Sequence, residues 1–142
     1  MTVVDTSAVI DFLLGDVAGQ GVETVLATER VVAAPDLLVF EVVAVLRRQV
    51  LRGQIGAERA GGAIDDLADL PVEIYPTLPL RSRAWELREN MTAADALFIA
   101  LAERLREPLL TKDGHLAAAA RTHSSVVVIE VPLDDHEASQ RH

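Results

Sequence analysis

Short apolar runs alternate with longer stretches in which apolar residues recur every three or four positions. The short runs are residues 1–4, 31–33, 72–75, 109–110 and 126–129, and most are bounded by Pro or Asp. Continuous, β-branched-rich runs of this length read as strands buried on both faces. The stretches between them read as helices. Ser7 caps a short one that runs to Leu14 and stops at Gly15, and a second covers 16–28. Pro35 and Asp36 open a long helix to Arg52, closed by Gly53. Further helices are expected over 56–70, 80–89, 92–106 and 116–121, the first weakened by Gly61 and Gly62. Strands that alternate with helices in this way give a three-layer α/β/α sandwich around a five-stranded parallel sheet. No repeat, linker or low-complexity segment divides the chain, so residues 1–132 form one domain, followed by a polar tail over 133–142.

Two predicted helices depart from simple amphipathicity. Residues 37–46 carry only Glu41 as a charge, and residues 93–102 only Asp95. A helix laid on a sheet needs one apolar stripe, not a full coat. Burial between neighbouring helices accounts for both, and for 37–46 a subunit or partner interface accounts for it equally well.

Composition narrows the functional classes. The chain has 142 residues and no cysteine, which excludes a disulfide framework, thiolate-bound zinc, an iron–sulfur cluster and a thiol nucleophile. Half of the residues are hydrophobic, which excludes disorder. Five aromatic residues are too few for a base-stacking platform, and a net charge of −9 offers no global attraction to nucleic acid. The N-terminus lacks the basic n-region of a signal peptide. Glu41 and Asp95 interrupt the two most membrane-like stretches. A soluble, cytoplasmic protein with no membrane partner is the expectation.

Four carboxylates stand out by position. Asp5 follows the first strand, Asp113 follows the fourth, Glu41 lies in the early turns of the helix after the second, and Asp95 in the first turn of a helix. In an open parallel sheet the strand C-termini and the following helix N-termini share one edge, where ligands bind. Asp5, Glu41 and Asp113 therefore face one crevice, and Asp95 joins them if its helix packs beside the first strand. Local roles compete with this reading. Asp5 suits a helix cap, Asp113 a turn before Gly114, and Asp95 a capping box with Thr92. Glu41 is harder to explain locally, because a lone carboxylate in an apolar helix is costly to bury and no Lys or Arg lies at i±3 or i±4. A cation is the natural compensation. Carboxylates without nearby His or Cys select Mg²⁺ or Mn²⁺ over zinc, and such ions activate water for phosphoryl displacement. Bound divalent ions would also offset part of the negative charge at the crevice.

Twelve arginines and one lysine suit bidentate phosphate contacts. Glu41, Val45, Arg48 and Arg52 recur on one helical face, with the arginines roughly 10 and 16 Å beyond Glu41. Arg81, Trp85 and Arg88 form a second stripe, and a solvated face explains both stripes as well as RNA contact does. The histidines show no triad or ligand spacing, and no nucleophile elbow, phosphate loop or dinucleotide fingerprint is present. A haloacid-dehalogenase-like phosphatase would need an acid where this chain has Ser7.

Taken in order, Val3-Val4-Asp5-Thr6-Ser7, a lone Glu41 in an apolar helix, the run from Asn90 to Ala102 and Leu110-Thr111-Lys112-Asp113-Gly114-His115-Leu116 resemble the PIN-domain ribonucleases. The chain is most similar to the VapC-type toxins among them. The resemblance implies Mg²⁺- or Mn²⁺-dependent RNA cleavage with one or two ions. It implies Asp5, Glu41, Asp95 and Asp113 as metal ligands and catalytic residues, with Asp113 acting directly or through water. Thr6, Ser7 and Thr111 match supporting hydroxyl positions, and Asn90 matches a polar one. Arg48, Arg52, Arg88 and Lys112 are the candidate RNA contacts. A homodimer silenced by a VapB-type antitoxin is the implied assembly. The alternative is a non-catalytic metal- and antitoxin-binding module on the same fold.

Overall fold

The computed structural model describes residues 1–15 and 20–131. In chain order the elements are β1 (Val3–Val4), α1 (Thr6–Leu14), α2 (Gln20–Glu29), β2 (Val32–Pro35), α3 (Leu37–Leu51), α4 (Ala57–Leu67) and β3 (Val72–Tyr75). A 3₁₀ turn (Leu78–Leu80) leads into α5 (Arg81–Glu86), followed by α6 (Ala93–Leu105), β4 (Leu109–Thr111), α7 (Gly114–His123) and β5 (Val128–Glu130). The five strands form one sheet in the order β3-β2-β1-β4-β5, and every neighbouring pair is parallel. Val3 pairs with Ala33 on one side and Leu109 on the other, so β1 is the central strand.

This order fixes where a site belongs. The chain moves outward from β1 through β2 to β3, then returns to the other side of β1 for β4 and β5. Right-handed crossovers put the outgoing helices on one face and the returning ones on the opposite face. α1 accordingly packs against α2, α3 and α4, while α6 lies across β1, β2 and β4 with α5 beside it. The strand order reverses between β1 and β4, which opens a crevice at their C-terminal ends.

The core explains the two over-apolar helices differently. In α6, Ala96 and the run Phe98 to Ala102 are all buried, because the helix sits between the sheet and α5. In α3 only Leu38, Val42 and Leu46 are fully buried, while Val39, Phe40 and Val43 face outward, Phe40 with 74% of its surface exposed. Ordinary burial therefore accounts for the first helix and not for the second.

Several expected boundaries shift. Asp5, not Ser7, caps α1, because its carboxylate reaches the Ala8 N–H at 3.0 Å while Ser7 lies inside the first turn. Pro35 ends β2 rather than opening α3, since it is still in register with Tyr75 of β3 and the next residue's N–H, that of Asp36, donates to the Tyr75 carbonyl at 2.8 Å. The expected helix over 80–89 begins as a 3₁₀ turn and ends at Glu86. The expected helix over 16–28 begins at Gln20 within the described residues; residues 16–19 and the tail over 133–142 lie outside them. Among the described residues no helix is long and apolar enough to cross a membrane.

Candidate active site

Asp5 follows β1 directly. Its backbone is extended (φ −88°, ψ 173°) and its side chain turns back to cap α1. Only 4% of the residue is exposed, so its carboxylate needs donors from the protein. Thr111 Oγ1, at the end of β4, donates to Asp5 Oδ2 at 2.6 Å. Ser7 Oγ lies 2.8 and 2.9 Å from the two carboxylate oxygens. The same hydroxyls tie down the β4–α7 turn. The Lys112 N–H donates to Ser7 Oγ at 3.2 Å, and the Asp113 N–H donates to Thr111 Oγ1 at 2.9 Å.

The other acids come from three more elements. Asp113 caps α7, accepting from the N–H groups of His115 and Leu116 at 2.9 and 3.3 Å. Asp95 stands in the first turn of α6, where its own N–H is capped by Thr92 Oγ1 at 3.1 Å. Glu41, half-buried in the second turn of α3, accepts a 2.6 Å hydrogen bond from Thr6 Oγ1. Asp5 and Asp113 therefore serve as helix caps and still face the crevice, as do Asp95 and Glu41. The local and site roles that compete in the sequence coexist in the fold.

The electrostatics follow from this crowding. Burial pushes the Asp5 carboxyl up to about 6, against the pull of its Thr111, Ala8 and Ser7 donors, and the Asp113 charge adds to the rise. Asp95 is raised by burial first, then by the neighbouring charges of Asp113 and Glu41. Among the described residues no ion pair reaches any of the four. Asp5 and Asp95, which burial and neighbouring charge push toward protonation, stand with Glu41 and Asp113 in oxygen-rich surroundings, and among the described residues none of the four is ion-paired, a donor set that a hard divalent cation takes. Each is meanwhile engaged by its own hydroxyl or backbone donor. Among the described residues no three acidic or histidine side chains are drawn into a closed ligand set.

A cavity of about 290 Å³ joins these residues. Asp5, Thr6, Ser7, Glu41, Asp95, Lys112 and Asp113 line it, and Thr111 supports it from below through Asp5. Asn90, Arg48, Arg52 and Arg88 do not line it. Asn90 is exposed and its N–H closes a turn onto the Leu87 carbonyl. Arg48 and Arg52 are exposed on α3, and Arg88 lies over the Trp85 ring at 4.8 Å from its centroid. The α3 residue that continues the cavity wall beyond Glu41 and Val45 is Gln49. Asp11 is the residue that inspection of the strand ends overlooks. It is buried, lines the cavity, and its Oδ2 lies 2.6 Å from Lys112 Nζ. Its signal was the one that marks Glu41, an acid set in an apolar helical run, here Val9-Ile10-Asp11-Phe12-Leu13.

Comparison with known proteins agrees with this architecture. The PIN domain model matches residues 2–122. Ribonuclease VapC1 of Mycobacterium tuberculosis is 47% identical over 118 residues, covering 82% of this chain and 89% of that protein. Ribonuclease VapC12 of the same organism is 34% identical over 129 residues, covering 91% and 99%. Among solved structures, PAE2754 from Pyrobaculum aerophilum superposes with a TM-score of 0.67 at 20% identity over 89% of this chain and 81% of its own. Mycobacterium tuberculosis VapC20, described as a sarcin–ricin loop cleaving toxin, superposes with a TM-score of 0.59 at 20% identity over 84% and 95%. A matched domain that spans most of the chain, and relatives that align along nearly their whole length, place it: the chain belongs to the PIN-domain family and, within it, to the VapC-type ribonucleases.

Proposed function

We propose that this protein is a divalent-metal-dependent endoribonuclease that acts as the toxin of a toxin–antitoxin pair. The observation that carries the reading is the convergence of Asp5, Glu41, Asp95 and Asp113, from four different elements, on one cavity without a cationic partner among the described residues. Asp5, Glu41 and Asp95 would hold one or two Mg²⁺ or Mn²⁺ ions, with Asp113 as a further ligand directly or through water. When bound, such an ion supplies Lewis acidity toward a phosphodiester and a nucleophile at neutral pH. Thr111 and Ser7 orient Asp5, and Thr6 orients Glu41. Lys112, on the cavity wall, would contribute a contact to the RNA backbone. Arg48, Arg52 and Arg88 would extend the contact along the strand outside the cavity, and Asn90 would support the approach to α6.

The outward apolar face of α3, with Val39, Phe40 and Val43, supports a protein partner, and a homodimer and a VapB-type antitoxin are the partners we assign to it. The cytoplasm, where RNA and such an antitoxin meet, is the corresponding location. Purified protein incubated with RNA in EDTA, Mg²⁺ or Mn²⁺ tests the enzymatic reading. New RNA ends should appear only with the divalent ion, and intact RNA under all three conditions would leave a non-catalytic antitoxin-binding module.

A further inference from the structure

The wall of the cavity changes character along α3. Thr6 of α1 bonds Glu41 of α3, which sets the two helices side by side at the carboxylate end. One turn further along each helix the lining residues are Ile10 and Val45, both apolar. A second turn along α3, at about 12 Å of helical rise from Glu41, the lining residue is Gln49. The other polar side chains on the wall are carboxylates, hydroxyls and one ammonium, so Gln49 brings the neutral amide. The hydroxyls of Thr6 and Ser7 are engaged by Glu41 and Asp5. Gln49 is half-buried, and among the described residues its side-chain amide makes no hydrogen bond.

A phosphodiester needs only the carboxylate end of this cavity. Beyond it come an apolar step and then a donor and an acceptor at fixed spacing, which suits a flat heterocycle packed by its face and read at its edge. The volume of about 290 Å³ lies near the lower end of small-ligand sites, ~300–1,000 Å³, and so admits one base beside a phosphate and not a duplex. Unpaired RNA bases present their edges freely. A side-chain amide pairs bidentately with adenine, whose N6–H donor stands beside its N7 acceptor, whereas a carboxylate only accepts and an ammonium only donates. We infer that the α1–α3 end of the cavity is a subsite for one unpaired base next to the cleaved bond, and that Gln49 selects adenine there. This rests on the ribonuclease reading above and adds to it a sequence preference, which contacts to phosphate do not carry. Ile10 and Val45 pack against the face of the base, in place of an aromatic platform.

Wild type, Gln49→Ala, Gln49→Glu and Arg48→Ala are to be incubated in Mn²⁺ with a single-stranded RNA library of randomised sequence. The new ends are sequenced at equal extents of cleavage, with melting curves to confirm folding. Wild type should favour adenine about tenfold at one fixed position beside the cut, the discrimination that one bidentate amide contact supplies. Gln49→Ala should lose the preference at that position. Gln49→Glu, whose side chain only accepts, should shift it toward cytosine through the N4 amine. Arg48→Ala should slow all sites alike and keep the adenine preference, because a phosphate contact reads no base. Wild type that cleaves without favouring adenine, a preference undiminished in Gln49→Ala, or one lost equally in Arg48→Ala would overturn the inference while leaving the ribonuclease reading standing. If Gln49→Ala does not fold, Gln49→Glu still decides: an unchanged adenine preference in that variant overturns the subsite. Wild-type protein that cleaves no RNA overturns the ribonuclease reading and the inference together.

Discussion

Thr111 does with one hydroxyl what two residues would otherwise share. Its proton goes to Asp5 at 2.6 Å and its lone pair takes the Asp113 N–H at 2.9 Å, with none of its surface exposed. Thr111→Val keeps the shape and removes both bonds. Leaving a buried acceptor and donor short should cost about 1–3 kcal/mol in stability. It should also raise the Asp5 carboxyl further, because the Thr111 bond is the strongest influence holding it down. That carboxyl makes stability depend on pH. Its folded value of about 6 lies above the ordinary aspartate value of 3.8, so between these limits the folded chain keeps a proton that the unfolded chain has released. Stability in EDTA should therefore fall as pH rises from about 4 to 7, by about 3 kcal/mol at most. Mn²⁺ favours the ionised form and should flatten the slope, and Asp5→Asn should remove this component and abolish cleavage. Chemical denaturation at several pH values, with EDTA and with Mn²⁺, checks both variants. Arg48 and Arg52 call for a different measurement. If both touch RNA phosphates, replacing them with Ala should reduce the salt dependence of RNA binding by up to about 1.4 units of slope, at ~0.7 per single-strand contact. An unchanged slope makes them a solvated face.

Helix ends are where much of the site is built, and they also explain what the sequence disclosed. Strand-terminal acids and the lone Glu41 were legible because each breaks an apolar pattern at a point where topology has one outcome. The phase of α3 was not. Arg48 and Arg52 lie close to Glu41 on an ideal helical wheel, yet the buried face Leu38, Val42 and Leu46 rotates the helix so that Gln49 continues the cavity wall. Which of several polar residues on a helix meets a cavity depends on packing against α1 and α4, and spacing alone does not encode it. The Ser7-to-Asp5 shift in the α1 cap has a similar source, since both residue types cap well and only the abrupt exit from a two-residue strand selects Asp5. Glycines separate by the same logic. Gly15 closes α1 at φ +71°, so Gly15→Ala should destabilise by about 1 kcal/mol. Gly61, inside α4 with open space where a Cβ would go, should tolerate Ala with a gain of about 0.5–1 kcal/mol. Thermal melts of the two single variants give opposite signs if these assignments hold.

At the scale of the whole molecule, part of the cavity wall and the outward apolar face belong to one helix, α3. Glu41 faces the cavity while Phe40, its chain neighbour, is 74% exposed. An assembly that covers Phe40 therefore lies beside the site, and a partner bound there is placed to reach it. Phe40→Glu should leave folding nearly unchanged, because the side chain packs little within the protomer. It should convert a dimer to monomer, or lose the antitoxin, by light scattering and pull-down with the purified partner. A variant that keeps both assemblies would show that the interface lies elsewhere.

The double duty of Asp5 and Asp113 has a consequence for inheritance. Each caps a helix and each is a proposed ligand, and asparagine caps as well as aspartate does while carrying no charge. Aspartate and asparagine codons differ by a single base. The shortest mutational route out of activity therefore leads to a protein that still folds and still presents its α3 face, not to one that is degraded. In a culture forced to survive expression of this chain, soluble full-length survivors should be enriched in Asn at positions 5 and 113 over other missense changes in the core. Such alleles would keep engaging the antitoxin as inert copies, so that a lineage could lose the chemistry and retain the binding.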